Sequence, residues 1–389
     1  MPEISSIATP SSAAGPGDAQ SACGPTADNG RRSVAIVGGG PTGMTLALAL
    51  HRHGIHVEIF EARDRAAVRR EARILALSEG ARQVLGWLDV WPQQAATAIR
   101  SIHVSHRGGF GRAVMRAEEL EVPALGWVVA ASDLIVVLDA AVIAAGIPYH
   151  EQQKVGAGDT ANFSLTAWAE GAVDAGAGKT RDYGQHAVLC TVGIAEPHRH
   201  VAWERFTGEG PMALLPLGSG YAVVLTCAAE MTPRILALDD AGFLDVLQQR
   251  FGERHRFTAI SPRAAYPLGL RYRENPVAER QVWLGNAAQT LHPVAGQGFN
   301  LALRDVWELT QHVGPAADPG AAALLAAYAR GRRLDRKGAI GFTQVLIDAF
   351  ASDFPLLKHA RGAGLLALDL LPPLKNFIAR RMMFGARAW

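Results

Sequence analysis

The first pattern of apolar positions along the chain is short and dense. Val34-Ala35-Ile36-Val37 is a run without polar interruption, as a strand buried on both faces requires. It stops at Gly38-Gly39-Gly40. From 42 to 53 the spacing predicts a helix, apolar on most sides through Met44, Leu46, Ala47, Leu48 and Leu50, with Gly54 as its stop. A second strand is predicted over 56–61. Strand, helix, strand in this order predicts a parallel pair joined by a right-handed crossover. Further along, Ser78 and Glu79 predict a helix start and a helix over 78–88. Strands are predicted over 102–107 and 113–118, and a helix over 133–145 ends at Gly146. The strongly apolar stretch 126–147 reads as one buried helix. It carries Asp133 and Asp139, and no stretch reaches the ~18 uninterrupted apolar residues of a spanning helix.

Between about 150 and 275 the pattern changes. Short strand-like runs at 187–192, 212–216 and 222–226 are spaced by Gly and Pro, which predicts a mostly antiparallel sheet. A helix over 239–251 interrupts it. The parallel-strand pattern returns at 282–285, and beyond Asn300 the chain reads as almost entirely helical.

Composition narrows the class. Of 389 residues, 49% are apolar and 19% charged, enough to bury a large core and to exclude global disorder. A net charge of +2 gives no electrostatic case for a nucleic-acid partner. Cys23, Cys190 and Cys227 lack CxxC spacing, so neither a disulfide framework nor a zinc module is indicated, and a reducing, cytoplasmic setting is expected. Residues 1–30 have neither a basic start nor an apolar stretch and read as a flexible tail rather than a signal peptide.

Two loops carry the chemistry. Gly38-x-Gly40-x-x-Gly43 follows a strand and opens a helix, where glycines let a pyrophosphate meet the free N–H groups of the helix start. Glu61, 18 residues past Gly43, ends the second strand, where a carboxylate accepts both ribose hydroxyls of an adenosine. The bland alternative is a tight turn with an exposed Glu, and the motif does not choose between FAD and NAD. The second loop runs from Gly285-Asn286 through His292-Pro293 and Gly296-Gln297-Gly298 to Asn300-Leu301. A strand ends at Gly285 and a helix starts near Gly298, so backbone N–H groups can face a flat ring or an anion. An ordinary Gly-Pro connection is the alternative.

The stretch 285–301, followed by Arg304-Asp305, resembles the second FAD motif of the single-component FAD-dependent aromatic-ring hydroxylases. It is most similar to their ubiquinone-biosynthesis branch, the 2-polyprenyl-6-methoxyphenol hydroxylases. Residues 181–185, 197–217, 372–375 and 382–385 resemble that branch too, so the likeness spans about 33–389. The resemblance implies an α/β protein with a Rossmann-like FAD-binding domain, an inserted, mostly antiparallel substrate sheet and a helical C-terminus. The expected FAD-binding parts are 31–100, 126–185 and 276–335. The substrate parts are 101–125 and 186–275, and the C-terminal segment is 336–389.

The resemblance implies that Gly38, Gly40 and Gly43 hold the FAD pyrophosphate and Glu61 the ribose. Arg73 matches the family's arginine near FAD. Gly285 ends the strand, and Asn286 faces the flavin's ribityl and phosphate groups. Pro293, Gly296, Gln297, Gly298 and Asn300 line the isoalloxazine ring. The implied reaction hydroxylates a polyprenylated phenol with NAD(P)H and O2 through a flavin C4a-hydroperoxide, so no metal is required. Other quinone-biosynthesis proteins are implied as partners. Rival readings on the same scaffold are a flavin-dependent dehydrogenase or oxidase, or a weakened subunit of a biosynthetic assembly.

Two departures stand out. The family's middle Asp-Gly motif has its nearest match at Glu170-Gly171, in a stretch 148–181 that is short for it. Ala130-Ala131 stand near a family arginine, which predicts weaker FAD affinity. His292 is the acid–base candidate, with packing beside Pro293 as the alternative. Trp203-Glu204-Arg205-Phe206 reads as a sheet segment holding a buried Glu–Arg pair. The segment 362–383 joins several leucines to Lys375, Arg380 and Arg381. It reads as a packed helix, or as an amphipathic segment at the face of the inner membrane.

Overall fold

The computed structural model describes residues 32–174, 176–292, 296–351 and 355–387, so the tail expected over 1–30 lies outside it. The crossover unit is as the pattern predicts. β1 (Ser33–Val37), α1 (Pro41–His51) and β2 (His56–Phe60) form a parallel pair, with α1 buried along nearly its whole length. Gly54, at φ +70°, turns the chain out of α1.

This pair sits inside a six-stranded sheet. Strand Leu165–Trp168 flanks β1 in parallel, and Gln281–Trp283 flanks that strand in parallel. Tyr149–His150 extends the β2 side, and Val277–Ala278 closes the other edge antiparallel. Val34, Ile36, Leu46, Leu50, Ile59 and Leu165 lock the sheet, α1 and the helix Gly298–Val313 into one core.

A second, larger sheet is almost entirely antiparallel, its one parallel pair being Val201–Thr207 beside Ser101–His106. Its longest strand, Lys179–Ile194, pairs with Gly220–Ala228 on one side and Ala264–Tyr272 on the other. Helix Asp240–Phe251, capped by Asp239, covers one face, with Phe243, Leu247 and Phe251 packed on Val188, Leu214 and Leu225. A three-stranded antiparallel sheet, Ile74–Ser78, Gly126–Ala130 and Thr97–Ile99, packs against strand Gly210–Leu217 of the large sheet and against helix Gly298–Val313.

The stretch 126–147 is not one helix. It is strand Gly126–Ala130 followed at once by helix Ala131–Ala144. Gly126 is needed there, since a Cβ would stand 2.7 Å from the Leu77 carbonyl oxygen across the ladder. The C-terminal part is helical as expected, through Ala322–Ala351, Pro355–Leu370 and Pro372–Phe384. Among the described residues, no helix is long and apolar enough to cross a membrane.

Candidate active site

The C-terminal ends of β1, β2 and Leu165–Trp168 open onto a cavity of about 790 Å³. Such a crevice outside the carboxyl ends of parallel strands is where open α/β sheets bind ligands. Its floor is the β1–α1 turn. Gly38 has φ +112°, and a Cβ there would meet the Ala169 carbonyl at 2.7 Å and the Glu170 nitrogen at 2.9 Å. A Cβ at Gly43 would stand 1.9 Å from the Gly38 oxygen, so Gly43 lets α1 lie directly on the turn. Gly40 has open space before it and no side chain caps α1, which leaves the first N–H groups of the helix facing the cavity.

Glu61 lines the same end and is buried. Its carboxylate accepts from the Gly39 N–H at 2.9 Å and from the Arg63 backbone and Nε at 3.0 and 2.9 Å. Burial alone raises its pKa, but these bonds outweigh burial and hold the carboxyl below the usual range. The fourth contact, from Arg63 Nη2, is the longest at 3.3 Å and so the weakest of the four. Arg73 also lines the cavity, its guanidinium held in a two-point pair by Glu71 at 2.9 and 3.1 Å.

Glu170 and Gly171 stand on the cavity wall, directly after strand Leu165–Trp168 and against Gly38. No hairpin precedes that strand; 151–164 is turns and irregular backbone. The stretch 148–181 thus holds the strand end before Glu170 and no hairpin ahead of it. Burial, with Asp174 second, raises the Glu170 pKa. Ala131 lines the wall as well.

The opposite wall comes from the second loop. Asn286, Thr290, Leu291, Gly296, Gly298 and Phe299 face the space. Pro293 lies outside the described residues. Gly285 stands behind Asn286, at φ +55°, with its N–H donated to Asp305 at 3.2 Å. Gln297 and Asn300, expected at the ring, are turned to packing instead. The Gln297 side chain accepts from Arg304 at 2.8 Å. The Asn300 amide accepts from the Ser78 N–H and donates to the carbonyls of Ala76 and Gly296, all at 2.8 Å. Asn300 therefore ties the strand before Ser78 to the glycine loop, fixing two cavity walls against each other.

His292 is buried edge-on to Tyr183, ring centroids 5.6 Å apart, and burial pushes its pKa down to about 4. A neutral imidazole there is no proton donor at neutral pH. A folded-state value below the unfolded ~6.5 contributes stability that is present above pH 6.5 and is lost as pH falls towards 4, roughly 3 kcal/mol in all. Thermal unfolding from pH 7 to 4.5 is expected to show a shallower decline for His292→Phe than for the wild type. Equal slopes would show that His292 does not titrate in this way.

The residues fit FAD: glycines where a Cβ would block the approach, an uncapped helix start, a carboxylate at the ribose end, and a second wall of backbone and amide. The chain matches two protein families, pyridine nucleotide-disulphide oxidoreductase over residues 10–82 and FAD binding domain over residues 165–343. Ubiquinone hydroxylase UbiL of Rhodospirillum rubrum is 30% identical over 400 residues, covering 94% of this chain and 93% of that protein. The chain belongs to the FAD-dependent hydroxylases of ubiquinone biosynthesis. The 3-demethoxyubiquinol 3-hydroxylase of Escherichia coli is 28% identical over 380 residues, covering 88% and 96%. Among solved structures, PqsL of Pseudomonas aeruginosa superposes with a TM-score of 0.72 at 18% identity, covering 87% of this chain and all of that one. The p-nitrophenol 4-monooxygenase PnpA of Pseudomonas putida superposes at 0.68 and 15% identity, covering 92% and 99%. These two likenesses show the fold. The hydroxylase is an FAD-dependent monooxygenase, with NAD(P)H the co-substrate typical of its class.

Residues that sequence reasoning missed form the far end of the cavity. Ala187, Leu189, Tyr266 and Leu268 reach it from the large sheet, and Ile74 and Leu75 from the small one. Period-2 alternation along 187–189 was the available signal for the first pair.

Proposed function

We propose that this monooxygenase hydroxylates the phenolic ring of a polyprenylated ubiquinone precursor. The reach of the cavity carries this reading: one space joins the polar end at Glu61 to the apolar sheet face at Leu189 and Leu268. When bound, FAD supplies the oxygen-activating chemistry, with electrons from NAD(P)H and oxygen from O2. The chain's own residues bind and orient. The α1 start and Gly38–Gly40 meet the pyrophosphate, Glu61 the ribose, and Asn286 with the Gly296–Gly298 backbone the flavin end. Leu189, Leu268 and Ile74 exclude water from the reacting ring. A strain lacking the protein is expected to accumulate a precursor short of one ring hydroxyl, and purified enzyme supplied with labelled O2 to place the label in the product. Unlabelled product would sink the reading.

The same reading puts the protein at a membrane surface, where such a substrate resides. Leu366, Leu370, Leu371, Leu374 and Phe377 are exposed along the last two helices. The basic residues of this segment are engaged elsewhere. Lys375 is buried on Glu119 at 2.8 Å and the Val114 carbonyl at 3.1 Å, and Arg380 reaches the Leu120 carbonyl at 3.3 Å. Contact is therefore apolar more than electrostatic, and vesicle binding is expected to survive 0.5 M salt. A Leu370→Ser/Leu371→Ser/Leu374→Ser variant is expected to lose at least ~10-fold in vesicle partition by co-sedimentation. Indifference of the wild type to vesicles would refute the docking.

A further inference from the structure

Strand Val201–Thr207 alternates, so Trp203 and Arg205 point to one face of the large sheet and Ala202, Glu204 and Phe206 to the other. The Glu–Arg pair expected here does not exist, because neighbours in a strand cannot face each other. Trp203 lies under helix Asp240–Phe251, edge-on to Phe251 at 5.6 Å and donating to the Tyr221 hydroxyl at 3.1 Å. Glu204 is on the face that the cavity shares.

The register places it there. Val104, Glu204, Ala213, Val224 and Leu189 stand side by side in one row across five strands. Leu189, in the same row, lines the cavity. Ala202, next to Glu204 on the same face, packs in one cluster with Ile74, which also lines the cavity. Helices Ala322–Ala351 and Pro355–Leu370 roof this face, touching strands Gly210–Leu217 and Ser101–His106. The row is otherwise apolar, so Glu204 is its single acid. Its carboxyl has no hydrogen-bond or ion-pair partner among the described residues, and the residue is half-buried. Burial pushes its pKa up to about 8.

Resting on the phenol reading above, we propose that Glu204 is the group that receives the phenol's hydroxyl proton during hydroxylation. The phenol O–H bond breaks, its proton goes to the Glu204 carboxylate, and its electron pair stays on the ring oxygen. That pair feeds the ring carbons ortho and para to the oxygen, which take the oxygen atom from the monooxygenase reaction. Glu204 returns the proton to the ring oxygen as aromaticity is restored by loss of the C–H proton to water. Glu204 itself is neither oxidised nor reduced. A base whose affinity for protons approaches that of the phenol, on an apolar face, is suited to this transfer.

The test uses FAD-loaded full-length protein, 2-methoxyphenol and short-chain 2-alkylphenols as probes, and three readouts: phenol Kd by calorimetry, product formed per NAD(P)H oxidised, and the pH profile of kcat. For Glu204→Gln the Kd is expected to stay within ~5-fold while coupling falls by ~100-fold or more. The wild-type kcat is expected to rise with pH through about 8, and this limb to vanish in the Gln variant. Glu204→Asp, which keeps a carboxylate, is expected to restore a measurable part of the coupling and the limb. Arg205→Gln, on the opposite face, is expected to change none of the three. Wild-type coupling and an unchanged pH limb in Glu204→Gln would overturn the assignment. So would a folded, FAD-loaded Glu204→Asp variant that lacks the pH limb, an outcome that decides the matter even if Gln fails to fold. A wild type that releases only hydrogen peroxide with every phenol would instead overturn the phenol reading.

Discussion

Gly298→Trp is expected to abolish FAD retention while leaving the fold intact. Gly298 is the first residue of helix Gly298–Val313 and stands on the cavity wall beside Asn286 and Phe299. A Cβ there meets no atom of the described residues within 4 Å, and Gly298 lines the cavity, so an added side chain has the cavity to enter. Its backbone is helical, a conformation any residue adopts, so the helix itself has no reason to break. The other glycines give no such clean test. A side chain at Gly43 drives α1 off β1, and one at Gly38 collides with the strand end before Glu170. An indole at 298 takes the volume proposed above for the flavin ring and covers the N–H groups of the helix start. The expected loss of FAD affinity is more than ~100-fold, about 2.7 kcal/mol, with the apo-protein Tm within ~2 °C of wild type. Flavin absorbance after reconstitution reads the first and calorimetry the second. Unchanged flavin content would move the ring away from this loop.

What the sequence makes legible follows from how each element is punctuated. β1, α1 and β2 are separated by glycines at 38–40 and 54, so each is read with near-correct limits. Gly126–Ala130 and Ala131–Ala144 are contiguous; Ser132 and Asp133 mark the first turn of the helix, but no glycine or proline separates it from the apolar strand before it. Strand Lys179–Ile194 is read only at 187–192, because its first residues are polar and exposed and a bulge interrupts the register near Gly184. At the site, residues that act through their backbone or through a glycine's missing side chain are legible as a motif. Asn300 is not, since a buried amide inside the motif is indistinguishable in sequence from one facing the ring; only its bonds to Ser78 and Ala76, more than 200 positions away, separate the two. Arg205 and Glu204 illustrate the converse: adjacency in sequence suggests a pair that strand geometry forbids.

The second large effect is expected at a residue that the motif contains but to which the sequence assigns no role. Asp305 is fully buried. One carboxylate oxygen accepts from the Gly285 N–H at 3.2 Å and the Gln289 amide at 2.7 Å, and the other from Arg332 Nε at 2.7 Å. Arg332 also donates to Asp335 at 2.7 Å, and Asp335 accepts from Arg304 at 2.9 Å and from the Ala386 N–H at 3.1 Å. Burial raises the Asp335 pKa, but the guanidiniums of Arg304 and Arg332 outweigh it and hold the carboxyl below its ordinary value. Asp305 thus fixes the positive-φ turn at Gly285 that presents Asn286, and it connects that turn to the last helices. Without Asp305 the Asp335 carboxylate alone faces both Arg304 and Arg332, so the buried cluster is left with an uncompensated positive charge, which costs ~3–5 kcal/mol. Asp305→Ala is accordingly expected to lower the Tm by roughly 10 °C and to lose FAD, because the Gly285–Asn286 turn loses its anchor. Arg332→Met alone is expected to be destabilising as well. The double variant Asp305→Ala/Arg332→Met is expected to cost clearly less than the two single effects combined, since each single variant already breaks the same pair and the double removes both of its charges. Strict additivity in that cycle, measured by denaturant unfolding, would show that the two residues stabilise the fold independently and that the Gly285 turn does not depend on their pairing.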